Sequence, residues 1–141
     1  MTQTVINIDQ ISALPITFKN IFDTSSSNIV FDGTNWQDFG IEFSFTVPAG
    51  QTWQLMAVVD MSFYVGVSYL YAIALWNGAA VLGSTPTWVS VASWDARSCN
   101  GYGSFTAGTY IIKGRIWSNS AHTILGTNKG SHITAILVRT A

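Results

Sequence analysis

Between Asp60 and Asp95 the chain runs for 34 residues, 61–94, without one Asp, Glu, Lys, Arg or His. A spanning helix needs roughly 20 predominantly apolar residues. The most apolar part here, 63–76, has 14 and already contains Gly66 and Ser68. Asn77-Gly78, Gly83, Ser84 and Pro86 follow, and these are turn formers. A membrane-spanning segment is therefore not expected. With a period of two, residues 69–76 put Tyr69, Tyr71, Ile73 and Leu75 on one side and Leu70, Ala72, Ala74 and Trp76 on the other. Both sides are apolar. An antiparallel sheet normally shows one face to water, so such a strand implies a core on one side and a second layer or a neighbouring subunit on the other.

The rest of the chain supports the same architecture. Residues 41–47 alternate apolar and polar without an error, the signature of a half-buried strand. Pro48-Ala49-Gly50-Gln51 then supplies a turn. Residues 52–64 place Trp53, Leu55, Ala57, Val59, Met61 and Phe63 on one face, while the opposite face is half apolar. Asp60 lies on that second face and is expected to meet solvent. Asn77-Gly78 predicts a type I′ hairpin with positive φ at both residues. Residues 88–94 and 105–117 read as strands, 95–103 and most of 118–131 as loop, and 132–139 as the closing strand. Short strands are expected at 4–8, 16–22, 28–31 and 123–125. Eight to ten short strands with no helical period and no internal repeat predict one all-β domain, an antiparallel β-sandwich or jelly roll, spanning 1–141. Within it, 1–39 hold less regular strands and 40–138 the core.

Charged residues make up 9% of the chain against a typical share of about 25%, so what is missing is solvated surface. A large apolar patch on a free monomer is an aggregation liability that closed symmetry removes. The expected subunit interface comprises Tyr64, Tyr69, Leu70, Tyr71, Ala72, Ala74 and Trp76. The six Lys and Arg residues are scattered and the net charge is -1, which argues against a nucleic-acid partner. Cys99 is the only cysteine, so stability must come from packing. The first residues lack the basic and apolar regions of a signal peptide.

Catalytic signatures are weak. His122 and His132 stand ten residues apart with Cys99 remote, which matches no zinc spacing, and neither metal nor cofactor is expected. The seven carboxylates form no close pair in sequence. Gly101-Tyr102-Gly103 lacks the third glycine and the following helix of a dinucleotide site. Six tryptophans are many for this length. Trp53, Trp76 and Trp117 sit within strands and are expected in the core or between subunits. Trp36 and Trp88 lie beside turns and are the candidate platforms for a sugar ring.

The run 43–50, the strand and hairpin 73–78, the segment 107–113 and the closing strand 131–138 resemble the C1q/TNF-like jelly-roll head domains of bacteriophage tail fibres and receptor-binding proteins, and similar domains on phage capsids. The resemblance implies a homotrimer with inner sheets packed around a threefold axis. It also implies a non-enzymatic role in the virion, made in the host cytoplasm, as a module for host-receptor attachment or particle architecture. Its partners would be other copies of itself and a host cell-surface glycan or protein, or other virion proteins. It assigns no site residue by position. A capsid decoration protein and a lectin-like carbohydrate-binding module are the alternatives.

Overall fold

The structure is a computed structural model that describes residues 16–22, 27–78, 80–126 and 129–141. The expected strand at 4–8 lies outside them. The strands are β1 (Ile16–Phe22), β2 (Ile29–Asp32), β3 (Gln37–Val47), β4 (Trp53–Val65), β5 (Tyr69–Asn77), β6 (Ala80–Ser84), β7 (Trp88–Ser90), β8 (Ser93–Phe105), β9 (Gly108–Ser118), β10 (Ala121–Ile124) and β11 (Lys129–Arg139). One sheet has the order β1-β11-β4-β8 and the other β3-β9-β5-β6, with β7 also paired to β5 and a small β10-β2 sheet alongside. All pairs are antiparallel. Numbered along the chain without the short strands β2, β7 and β10, the two sheets run 1-8-3-6 and 2-7-4-5. That is the strand order of a jelly roll, two Greek keys folded face to face.

The alternation in the sequence becomes the core. Leu55, Ala57, Val59, Met61, Phe63 and Val65 of β4 all point inward, and they meet Tyr71, Ile73 and Leu75 of β5 and Ile112 and Ile116 of β9. Full burial of one such side chain contributes about 2 kcal/mol relative to exposure. The turn at 48–51 forms as expected, with Gly50 at φ +76° and the Gln51 amide donating to the Pro48 carbonyl. β3 carries a bulge between Asp38 and Glu42, with Gly40 at φ +96°. There the chain adds residues without advancing its partner, which brings both carboxylates to Lys113.

Three expectations are corrected. Residues 95–103 form the middle of β8, paired residue for residue with β4, and not a loop. Asn77 is the last paired residue of β5, opposite Ala80, and Gly78 at φ +56° starts the turn. No described residue other than glycine has positive φ, so the turn is not the type I′ hairpin centred on Asn77-Gly78. Residues 88–94 are not one strand: β7 ends at Ser90 in one sheet and β8 begins at Ser93 in the other. β6 and β7 pair with successive halves of β5, and Pro86, which cannot donate to a ladder, falls between them.

Candidate functional site

The outer face of the β1-β11-β4-β8 sheet is built by every second residue of three paired strands. From one end to the other, its rows are Ile136/Met56/Tyr102, Thr134/Val58/Asn100, His132/Asp60/Ser98, Gly130/Ser62/Ala96 and then Tyr64/Trp94. The first two rows carry exposed apolar side chains, with Met56 51% exposed, Val58 37% and Tyr102 63%, and Thr134 and Asn100 flank Val58. They enclose a shallow recess of about 230 Å³. The middle row is polar and surrounds a second recess of about 390 Å³.

Asp60 organises the polar row. One carboxylate oxygen accepts from the Ser98 hydroxyl, and the other lies 2.9 Å from His132 Nε2. The Asp60 carboxylate is 40% exposed, so it is both solvated and paired. In a serine hydrolase the imidazole stands between hydroxyl and carboxylate and takes the hydroxyl proton. Here the carboxylate stands in the middle. The cluster orients side chains across three strands and does not build that relay.

The residues expected at a subunit interface separate into two groups. Tyr71, Ala72 and Ala74 are 0%, 5% and 0% exposed within the single chain. Tyr71 points into the sandwich, against Phe31 and Phe63. Ala72 and Ala74 lie on the outer side of β5, where their partners across the ladder are Trp117 and Arg115. The guanidinium of Arg115 in turn lies 4.8 Å above the Trp76 ring. Long neighbours thus cover short alanines, and no second subunit is required there. Tyr64, Tyr69, Leu70 and Trp76 retain surface.

Neither tryptophan singled out as a platform is bare. Trp88 donates its Nε1 to Asp95 at 2.7 Å, and Arg97 lies 5.0 Å over its ring, on the face a sugar would need. Burial alone would raise the Asp95 carboxyl. Hydrogen bonds from Ser90 and Trp88 and the charge of Arg97 outweigh that and hold it below the ordinary carboxylate range. Trp36 is half-buried and meets Trp76 edge-on at 6.1 Å. Beside it Asp38 accepts from Lys113 at 3.0 Å and from Arg115 at 2.8 Å. Burial raises the Asp38 carboxyl, and these two cations more than reverse the effect. The most exposed tryptophan is Trp94, edge-on to Tyr64 at 5.8 Å. It ends a segment whose strand pattern was visible, but only its pairing to β4 shows that it faces outward.

His122 serves packing. Its Nδ1 lies 2.9 Å from the Ser120 carbonyl and must donate to it, so Nε2 accepts from the Tyr71 hydroxyl at 2.8 Å. No group of three metal-binding side chains occurs among the described residues.

The outward-facing surface is thus that of a jelly-roll β-sandwich whose four-stranded face sets exposed apolar and aromatic side chains among polar ones, with the Asp60 row at its middle. No protein-family model matches the chain, and no curated protein is similar in sequence. Among solved structures, the fold is similar to the globular domain of zebrafish complement 1qA protein, with TM-score 0.46 and 11% identity over 87% of this chain and 96% of that one. It is also similar to a family 35 carbohydrate-binding module from Clostridium thermocellum, with TM-score 0.32 and 10% identity over 86% and 90%. The jelly-roll assignment rests on the strand order above.

Proposed function

We propose that this chain is a non-enzymatic binding module that assembles as a homotrimer through the outer face of the β1-β11-β4-β8 sheet, and serves host attachment or particle architecture in a bacteriophage virion. The observation that carries the assembly is the exposed Met56, Val58 and Tyr102 surface, closed on one side by the Asp60–His132–Ser98 row. Burying this surface removes apolar area from water, and the polar row fixes the register of the approaching subunit. The number three and the virion setting follow from the resemblance read in the sequence.

Light scattering coupled to size exclusion tests the assembly. The wild type is expected at three times the chain mass, and Val58→Glu, which sets a charge beside the exposed Met56 and Tyr102, is expected to run as a monomer with an unchanged circular dichroism spectrum. A wild type that is monomeric at micromolar concentration overturns the assembly. Detection of the chain in purified phage particles by mass spectrometry tests the setting.

A second reading, glycan binding, is favoured at Trp36, where a half-buried indole adjoins the Asp38, Lys113 and Arg115 polar groups on the opposite sheet. A glycan array with wild type and Trp36→Ala separates it from a purely architectural role. Hits lost in the variant support it, and an array without hits removes it.

A further inference from the structure

Two asparagines of the chain precede glycine, in Asn77-Gly78 and Asn100-Gly101. In such a pair the main-chain nitrogen of the glycine can reach the side-chain amide carbon of the asparagine, because no Cβ on the glycine stands in the way. The five-membered ring that results includes the asparagine Cα–C bond, so closing it takes that bond well away from the extended setting of a strand. Whether an Asn-Gly pair reacts therefore depends on whether the peptide between the two residues can turn. The other described asparagines precede larger residues: Asn20 and Asn28 isoleucine, Asn35 tryptophan and Asn119 serine. Asn35 and Asn119 are also held by their side chains, to Asp32 and to the Leu70 amide.

The fold treats the two Asn-Gly pairs differently. Asn77 ends β5, opposite Ala80 on one side and Ile112 on the other, and Gly78 falls outside both ladders. Gly78 is exposed at φ +56°, and a methyl built on it would meet nothing within 4 Å. Asn100 is the more exposed of the two asparagines, but it lies in the middle of β8. Asn100 and Gly101 pair with Val58 and Ala57 of β4. Gly101 is buried, with Leu75 Cδ1 at 2.9 Å and Leu82 Cβ at 3.2 Å from the place of an added methyl. Gly83 of β6 packs so closely on the Asn100 carbonyl that a methyl on Gly83 would lie 1.8 Å from its oxygen. The Asn100-Gly101 peptide cannot turn without parting β8 from both β4 and β6, whereas the Asn77-Gly78 peptide opens onto solvent.

We propose that Asn77 is a self-modification site, at which the folded chain converts asparagine to aspartate and isoaspartate through an intramolecular imide, while the fold protects Asn100. The Gly78 nitrogen loses its proton to solvent base and attacks Asn77 Cγ. A bond forms between that nitrogen and Cγ, the bond from Cγ to the side-chain nitrogen breaks, and ammonia leaves with a proton returned from water. Water then opens the ring. Attack at Cγ restores the original main chain and leaves aspartate; attack at the main-chain carbonyl leaves isoaspartate. Nothing is oxidised or reduced, and water is the only co-reactant. Either product adds one negative charge to a chain whose net charge is -1. Isoaspartate also lengthens the main chain by one carbon at the residue that pairs with Ala80 to close the β5–β6 hairpin.

The test incubates the full wild-type chain in mildly alkaline buffer, once folded and once in enough urea to unfold it. Peptide mapping by mass spectrometry follows both Asn-Gly pairs with time, reading the exchange of an amino group for a hydroxyl, and electron-transfer fragmentation separates isoaspartate from aspartate. In the folded chain Asn77 is expected to convert at least about tenfold faster than Asn100, a barrier difference of roughly 1.4 kcal/mol. In urea the same chemistry acts on two open dipeptides, and rates within about twofold of each other are expected. Conversion of Asn77 in the folded chain that is no faster than that of Asn100 overturns the proposal. So does a folded chain that keeps Asn77 intact while the unfolded chain loses it. A difference that persists undiminished in urea also overturns it, because neighbouring residues and not the fold would then set the rates. No variant is needed, so the result does not depend on whether a substituted chain folds.

Discussion

A methyl group built on Gly83 would land 1.8 Å from the Asn100 carbonyl oxygen and 2.8 Å from its carbon. Both are backbone atoms, so neither can rotate away. Here the edge strands β6 and β8 of the two sheets meet with no room for a side chain. Gly83→Ala is therefore expected to cost about 3 kcal/mol, the upper end of overpacking penalties, measured by urea unfolding. Gly66→Ala is the control: nothing lies within 4 Å of its added methyl, and a change within about 0.5 kcal/mol is expected. The same close packing explains why β8 was illegible in the sequence. Its inward positions include Cys99, Gly101 and Gly103, and a methyl on Gly101 would fall 2.9 Å from Leu75 Cδ1. Where the core admits only small residues, the apolar alternation that marks a strand is absent.

Among the elements, the small β10-β2 sheet is tied to the sandwich by His122. Its ring stacks on Phe31 at 4.7 Å, lies 4.4 Å from Tyr69 and accepts the Tyr71 hydroxyl, a proton that burial holds in place by pushing the Tyr71 phenol up. Burial lowers the His122 pKa, with only the Ser120 carbonyl acting against it. The folded state thus favours the neutral ring. Its contribution to stability is complete above the ordinary histidine value of about 6.5 and is lost as pH falls below it toward the depressed folded value. The urea midpoint of the wild type is expected to drop between pH 7 and pH 5.5, and His122→Gln is expected to flatten that drop; equal slopes in the two proteins would rule the residue out as its source. The strand at 121–124 had a sequence trace, but the partner that makes it a sheet, β2, is about 90 residues away along the chain. Pairing at that separation leaves no local signal.

For the whole molecule, the jelly-roll order determines which faces are free. The self-association predicted above depends on β4 lying between β11 and β8, which gathers Met56, Val58 and Tyr102 into one surface. Period-two alternation, the turn residues and the shortage of charge determined from sequence alone that the protein is an antiparallel β-sandwich with too little solvated surface. They also placed Leu55 to Phe63 in the core, because alternation records burial directly. Only the tertiary structure decided that Ala72 and Ala74 are covered by Trp117 and Arg115, that Arg97 caps Trp88, and that Tyr64 and Trp94 meet across two strands. Each of these depends on strands far apart in the chain being brought into register, and side-chain coverage follows from that register and not from the order of residues.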